Sequence, residues 1–427
     1  MSETICVVGL GYVGLPLATA FDDAGHHVVG YDVDEEKIET LRTGIDTTGD
    51  IGDAAVADGD VHFTSDPVSI SDASYVIVTV PTPIDDLHNP NLEYVTAAGR
   101  TVGENMAPGT TVVLESTVYP GATRNELVPA LEDGSGMVSG KDFQVGYSPE
   151  RMVPGDSEHG LANVVKVVGA DDDDVREDLV SLYETIVDAG VYRAESIETA
   201  ETAKVLENVQ RDLNIALVNE LAIVCDRIGL DTHAVLEAAR TKWNFHDYRP
   251  GLVGGHCIPV DPFYLTYRSE REGFSPKLIL TGREINEYMP KHTAEVALKA
   301  LNRSGNVLRE SRVLVLGLAY KPNVGDIRTS EVGGVIDYLQ EFGVEVVGYD
   351  PHADPGELTE EFGIEVQEEL SFEGFDGVVL ATPHDEFSSI DPAAMAESLS
   401  NDPIFLDVMG AWDRNAIESL GVSYRRL

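Results

Sequence analysis

Basic residues are scarce in this chain: 29 lysines and arginines stand against 75 aspartates and glutamates in 427 residues, a formal net charge of -46. The acids are spread along the chain, so nucleic acid, which is bound by cations set against phosphate, is excluded as an expected partner. Cysteine is scarcer still. Cys6, Cys225 and Cys257 are too few and too scattered for a disulfide framework, and no C-x-x-C spacing suggests zinc. No metal is expected, and any cysteine that matters should act as a free thiol. Long apolar runs are missing as well. None approaches the roughly 18 residues of a membrane span, and the N-terminus enters a strand-like segment without a leader pattern. The expectation is a soluble, cytoplasmic protein with no membrane partner. Self-repulsion on this scale opposes folding in dilute buffer, whereas molar salt shortens the Debye length to about 3 Å, so a salt-rich cytoplasm is the expected setting.

What is present is enough hydrophobic residue, 43%, for two or three packed domains. Thr4 to Val8 is a short β-branched run, followed by Gly9-Leu10-Gly11-Tyr12-Val13-Gly14, a helix-like stretch from Leu15 to Ala24, and a second apolar run, His27 to Tyr31, that ends in Asp32. Strand, glycine turn, helix, strand and acid make a βαβ unit. Further strands are readable at Tyr75 to Val80, Thr111 to Glu115 and Val164 to Val168, as a doubly wound parallel sheet requires. Ser196 to Gly229 reads as one long helix, and a glycine- and proline-rich loop from Arg249 to Pro262 follows among helical text. From Arg312 an α/β pattern restarts. Val29-Gly30-Tyr31-Asp32 recurs as Val347-Gly348-Tyr349-Asp350, and Val76 to Pro83 has a counterpart in Val378 to Pro383. The expected class is α/β, with two Rossmann-like doubly wound domains joined by a long central helix: 1–195, 196–305 and 306–427.

The glycine motif gains weight from its setting between a strand and a helix. Gly9 permits a tight turn, Gly11 lets backbone approach a pyrophosphate, Gly14 allows close helix packing, and the helix N-terminus supplies N–H groups and a positive dipole. Asp32 suits the ribose hydroxyls of adenosine and repels a 2′-phosphate, which favours NAD over NADP. In the second repeat the glycines give way to Gly317-Leu318-Ala319-Tyr320-Lys321-Pro322, with Arg328 just beyond. Two cations there could hold a nucleotide diphosphate, although each alone reads as a surface charge. Cys257 stands apart from Cys6 and Cys225, which sit on apolar elements. Two preceding glycines expose its backbone, His256 adjoins it and Asp261 follows four residues on, so a thiol, an imidazole and a carboxylate share one loop. Neither His256 nor Asp261 has the spacing of a metal ligand set. Lys204 and Asn208 lie one turn apart and could converge on an oxyanion, but spacing alone favours a surface pair of Lys204 with Glu201.

In this order the pieces resemble the UDP-glucose/GDP-mannose dehydrogenase family over nearly the whole chain. The resemblance rests on Val8 to Pro16, Ser116-Thr117-Val118-Tyr119-Pro120-Gly121, Ser148-Pro149-Glu150-Arg151, Lys204-x-x-x-Asn208, Gly254-Gly255-His256-Cys257, and Lys321 with Asp326-x-Arg328-x-Ser330. It implies an NAD-binding domain, a central dimerisation helix and a UDP-binding domain in a homodimer or higher homo-oligomer. The implied reaction is a four-electron oxidation of a sugar C6 alcohol with two NAD, passing through a thiohemiacetal and a thioester on Cys257. Lys204 and Asn208 would stabilise oxyanions, Asp261 would assist proton transfer, and Glu150 with Thr117 would serve hydrolysis. Cofactor contacts would come from Gly9, Gly11, Tyr12, Val13, Gly14, Asp32 and Thr82, with Arg328 reaching a neighbour's NAD. Substrate contacts would come from Arg151, Lys204, Asn208, Arg249, Gly254, Gly255, Tyr320 and Lys321, with His246 and Tyr248 nearby. His256 and Val260 stand where glucose- and mannose-specific members usually have serine and lysine. The run Gly254 to Tyr264 looks like the branch acting on UDP-N-acetylglucosamine or UDP-N-acetylmannosamine, and the epimer is not readable.

Competing readings are a UDP-glucose 6-dehydrogenase, a two-electron β-hydroxyacid dehydrogenase, and a non-catalytic protein that binds NAD or a nucleotide sugar. The third domain and Cys257 argue against the β-hydroxyacid class. A binding protein has no use for a thiol, lysine, asparagine and two carboxylates kept together. Short-chain epimerases need a Tyr-x-x-x-Lys pair, which the chain lacks.

Overall fold

The computed structural model describes residues 2–85, 87–152 and 158–427. Its strands are β1 (Thr4–Val8), β2 (His27–Tyr31), β3 (His62–Thr64), β4 (Tyr75–Val78), β5 (Thr111–Leu114), β6 (Gln144–Tyr147), β7 (Lys166–Ala170) and β8 (Val191–Arg193), then β9 (Arg312–Leu316), β10 (Glu345–Tyr349), β11 (Glu365–Val366), β12 (Gly377–Leu380), β13 (Ile404–Asp407) and β14 (Ser423–Arg426). They form an eight-stranded sheet in the order β3-β2-β1-β4-β5-β6-β7-β8 and a six-stranded sheet in the order β11-β10-β9-β12-β13-β14. Both reverse direction of growth beside their first strand, so the two doubly wound sheets expected from the sequence are present; in sheets of this kind ligands bind at the carboxyl ends of the strands. The first sheet departs from a wholly parallel pattern at one place: β7 runs antiparallel to β6, with Gly146 opposite Ala170 and Tyr147 opposite Gly169.

The chain divides into two compact units, one of residues 1–207 and 263–275, the other of 208–262 and 276–427. In the first, Ile5, Val7, Leu15, Phe21, Ile77 and Val113 pack one core. In the second, the alternation of β9 sends Val313 and Val315 to one face of the sheet and Leu314 and Leu316 to the other, each into its own core. Burial on both faces is why this strand reads as an unbroken apolar run. The long helix occupies Ile197–Ile228, within a residue of its expected span. The helix Lys277–Arg303 crosses it so closely that a Cβ on Gly282 would meet the Leu213 side chain at 2.5 Å.

The repeat extends to hydrogen bonds. The Leu10 N–H donates to Asp32 Oδ2 at 2.8 Å, and the Leu318 N–H donates to Asp350 Oδ2 at 2.7 Å. The Thr79 hydroxyl donates to the Gly9 carbonyl, whereas in the second copy the hydroxyl of Thr382 donates to the Ala319 carbonyl, two residues beyond the counterpart of Gly9. The copies differ in what else their acid holds. Asp32 pairs with the partly exposed Lys37 at 2.8 Å, whereas Asp350 is closed in by the buried His384 at 3.0 Å.

Candidate active site

At the carboxyl edge of the first sheet the glycine turn has the shape its sequence implies. Gly9 has φ +94°, and a Cβ on Gly14 would fall 1.8 Å from the Gly9 carbonyl oxygen, so both positions exclude a side chain. Gly11 is different: a Cβ there would meet nothing within 4 Å. The fold does not demand that glycine, and the room it leaves suits a pyrophosphate. The helix Gly14–Asp23 begins at Val13, which provides no side-chain cap; the Leu15 N–H turns back to the Gly11 carbonyl at 3.0 Å and Pro16 carries no N–H. Tyr12 is exposed beside the turn. Asp32 is buried; burial opposes its charge, but the Lys37 ammonium and the N–H groups of Leu10 and Asp34 hold its carboxyl below the usual range. These residues fit the phosphates and adenosine ribose of NAD.

Farther along the same edge, the Thr82 hydroxyl donates to the Thr117 carbonyl at 2.7 Å and the Ser116 hydroxyl to the Val80 carbonyl at 2.6 Å, stitching the loops after β4 and β5 together. Beneath them lies Glu201 of the long helix. It accepts from the Gly121 N–H at 2.5 Å, the Thr123 N–H at 2.9 Å and the Thr123 hydroxyl at 2.6 Å. The surface pair of Lys204 with Glu201 favoured by spacing is therefore not the arrangement found. Glu201 is wholly buried, because the first turn of the helix packs under the loop that bears Thr117. Burial lifts its carboxyl to about 7 against the pull of those three donors. Lys204, a turn farther on, is half-buried.

Glu150 follows β6, and its Oε1 accepts from the N–H groups of Arg151 at 2.6 Å and Met152 at 2.7 Å. Its Oε2 receives Lys166 Nζ at 2.9 Å, and the same ammonium reaches Glu115 Oε2 at 2.8 Å. Tyr183 donates its hydroxyl to Glu115. Burial opposes the charge on Glu150, but Lys166 and the two backbone donors hold its carboxyl low. Burial and the neighbouring Glu150 push Glu115 up instead. Arg151 forms a two-pronged pair with Glu207, at 2.6 and 3.1 Å, and donates to the Val165 carbonyl.

The second unit holds the thiol. Cys257 is exposed, whereas Cys6 and Cys225 are buried and burial raises the Cys6 thiol to about 12. The Cys257 carbonyl accepts from the N–H of Asp261 at 2.9 Å, so the loop winds directly into the helix Asp261–Arg271. Asp261 is buried and accepts from the Asn208 amide at 2.6 Å. The two glycines before the cysteine serve another end than exposing its backbone. A Cβ on Gly254 would meet the Thr329 carbonyl oxygen at 2.6 Å, and one on Gly255, at φ +94°, would meet the Tyr320 ring at 2.9 Å. Their bareness lets the segment bearing Tyr320, Lys321 and Arg328 close over the cysteine loop. His256 accordingly turns to Asp326 at 3.1 Å, and Asp326 also holds Arg328 at 2.8 Å. Arg249 and His246 are exposed; Tyr248 accepts from Gln210 at 3.3 Å.

The structure thus gathers Thr117, Glu150, Thr82 and the glycine turn on one unit, and Cys257, Asp261, Asn208, Tyr320 and Lys321 on the other, with Lys204 on the first. Sequence reasoning missed Glu115, Lys166, Tyr183 and Glu201. It also missed a buried chain in which Asn219 clasps both the N–H and the carbonyl of Gly251 and donates to Asn286, which donates to Asp212, the partner of Arg283 at 2.7 Å. Asp212 and Asn219, two turns apart on the inner face of the long helix, were the available signal. Among the described residues no group of three or more His, Cys, Asp or Glu could hold a metal ion, and no helix is long and apolar enough to cross a membrane.

Three family descriptions match in order: the NAD binding domain over residues 3–187, the central domain over 198–288 and the UDP binding domain over 314–414. Over 387 residues the chain is 45% identical to Protein CapL of Staphylococcus aureus, covering 91% of each chain. It is 44% identical to the UDP-N-acetyl-D-glucosamine 6-dehydrogenase of Salmonella typhi, covering 90% of this chain and 91% of that one. Among solved structures, the UDP-D-ManNAc dehydrogenase of Pyrococcus horikoshii superposes with a TM-score of 0.89 at 31% identity, covering 99% of this chain and 98% of that one. By its three matched domains and its glycine turn, carboxylates and cysteine loop, the chain belongs to the UDP-glucose/GDP-mannose dehydrogenase family.

Proposed function

We propose that the protein is an NAD-dependent 6-dehydrogenase of a UDP-N-acetylhexosamine, turning the C6 alcohol into a carboxylate through covalent attachment to Cys257. The observation that carries this reading is the exposed thiol one turn before a buried Asp261–Asn208 pair, on a loop closed by Tyr320. The higher identity to the UDP-N-acetyl-D-glucosamine enzyme favours the gluco epimer.

When bound, NAD accepts a hydride at each of the two oxidation stages. Gly9, Gly11, Gly14 and the start of the helix Gly14–Asp23 would hold its phosphates, Asp32 its ribose, with Tyr12, Val13 and Thr82 lining the site and Arg328 reaching the NAD of a second subunit. Lys321 and Tyr320, with Arg151, Arg249, Gly254 and Gly255, would hold the UDP-sugar. The Cys257 thiolate adds to the aldehyde carbon, forming a C–S bond and leaving an oxyanion that the Lys204 ammonium and Asn208 amide stabilise. The two N–H groups of that amide allow it to serve Asp261 and an oxyanion together. After the second oxidation, water placed by Thr117 and Asp261 attacks the thioester carbon, Glu150 takes a proton from the water, and the thiolate departs with the C–S electron pair.

The span 1–195 would then be the cofactor domain, 196–305 the central dimerisation domain and 306–427 the UDP-sugar domain. A homodimer or higher homo-oligomer in a salt-rich cytoplasm completes the reading. Its support is an apolar strip of exposed Leu217, Val224 and Ile228 on the long helix, at spacings that share one face, in an otherwise acidic chain.

The test is NADH formed per sugar consumed, in molar KCl, across UDP-N-acetylglucosamine, UDP-N-acetylmannosamine, UDP-glucose and GDP-mannose. Two NADH per sugar on an N-acetylated substrate is expected. One per sugar would point to a two-electron enzyme, preference for UDP-glucose would overturn the substrate reading, and no turnover would favour a binding protein. Cys257→Ser should abolish acid formation, and full turnover by that variant would overturn the covalent route.

A further inference from the structure

The buried cation beside Glu150 is not needed by any step above, yet it costs much to place there. Lys166 is 2% exposed, and burying an ammonium is unfavourable by several kcal/mol unless paired. It is the first residue of β7, the one strand that reverses beside β6. Continuing the observed register, in which Gly146 faces Ala170 and Tyr147 faces Gly169, sets Glu150 opposite Lys166. Glu115 follows β5 next to them. One ammonium therefore bridges two carboxylates at 2.8 and 2.9 Å, with the Tyr183 ring beneath its Nζ at 5.3 Å and the Tyr183 hydroxyl on the far oxygen of Glu115.

We propose that Lys166 is a positioning residue for thioester hydrolysis: it fixes Glu150 in the orientation that receives the water proton and supplies the charge that keeps this carboxylate ionised, while Glu115 shares the same ammonium. The inference rests on the reading of Glu150 as the base of that step. Before hydrolysis the cluster holds Lys166 cationic and Glu150 anionic. When the water oxygen bonds to the thioester carbon, its proton passes to Glu150, the C–S bond breaks and the sulfur leaves with the electron pair. Lys166 is then left facing a neutral Glu150, and its remaining partner is Glu115, held in place by Tyr183. The second carboxylate thus gives the ammonium somewhere to rest during the half of the cycle in which Glu150 carries a proton.

The two neighbours pull Glu150 in opposite directions, and this gives a test that a merely structural cluster would not pass. Single-turnover formation of the acid is followed against pH in molar KCl, with intact-mass detection of sugar nucleotide on Cys257 and an NADH-binding titration as the check of fold. In Lys166→Met the formation of two NADH per site should persist, acyl-enzyme should accumulate, hydrolysis should slow about a hundredfold or more, and its acid limb should move up by about one pH unit or more, because the ionised base has lost its cation. In Glu115→Gln the limb should move down, because the whole of the Lys166 charge then falls to Glu150. If Lys166→Met does not bind NADH, the Glu115→Gln limb decides alone. A limb that stays in place or moves up in Glu115→Gln, or wild-type hydrolysis in Lys166→Met, overturns the proposal. Glu150→Gln separates this from the reading beneath it: wild-type hydrolysis in that variant refutes Glu150 as the base, whereas accumulated acyl-enzyme there beside an unmoved limb in the other two refutes only Lys166.

Discussion

Raising the pH should loosen the loop that carries Thr117, because a carboxyl held by three hydrogen-bond donors is buried under it. Glu201 sits at about 7, against an ordinary 4.5. At 1.36 kcal/mol per pH unit, that difference is worth about 3 kcal/mol. A carboxyl raised in the folded state binds its proton more tightly folded than unfolded. Stability is therefore greatest below the ordinary value, falls as pH rises from about 4.5 to about 7, and is reduced by the full amount above that. Glu201→Gln removes the titration and keeps one acceptor, while turning an amide N–H group towards a donor, at a cost of about 1–3 kcal/mol at every pH. Hydrogen exchange at the Gly121 and Thr123 amides, corrected for intrinsic rates, reads the loop itself. Wild-type protection should fall roughly a hundredfold across the window and that of the variant should stay level. Equal, level profiles in both proteins would refute the reasoning, and would mean that the Thr123 hydroxyl and two N–H groups fully compensate the burial of the charge.

Gly255→Ala, at φ +94° and with its new Cβ 2.9 Å from the Tyr320 ring, should cost about 1–2 kcal/mol in backbone strain alone and push that ring aside. A KM for UDP-sugar unchanged in this variant would count against closure of the Tyr320 segment over the cysteine loop. Asn219→Ala strands the N–H and carbonyl of the buried Gly251 and should destabilise the second unit by about 2–4 kcal/mol, read as a lower urea midpoint and faster alkylation of Cys257. Dialysis from molar KCl into dilute buffer should unfold the protein through the self-repulsion of its -46 charge, followed by circular dichroism; retained structure and activity there would refute the high-salt setting.

Much of the architecture was legible because it is local. The glycine turn, the acid ending β2, its echo at Asp350 and the span of the long helix all follow from patterns within a few tens of residues. What was not legible depends on register and on distant partners. Lys166 sits in an apolar run and gives no sign that β7 reverses, so its meeting with Glu150 and Glu115 could not be read from spacing. Glu201 lies three residues from Lys204 and looked like its surface partner. The loop around Gly121, eighty residues earlier, decides otherwise by burying that face of the helix. Gly254 and Gly255 read from the sequence only as baring the backbone before the thiol; the Thr329 carbonyl and the Tyr320 ring, some sixty-five to seventy-five residues later, are what make their bareness necessary.

The histidine that closes in Asp350 has a consequence for the duplicated design. Asp350 already serves the N–H groups of Leu318, Ala319, His352 and Ala353 as well as the His384 ring, and both side chains of the pair are wholly buried. A ribose arriving there would have to evict part of the protein's own framework. His384 works as a plug in a socket that the first copy keeps open, so a molecule with two sockets of the same pattern presents only one to the dinucleotide. With the glycines of the turn also replaced by Gly317-Leu318-Ala319-Tyr320-Lys321-Pro322, the second copy keeps the order of its central strands while closing its acid to a ribose.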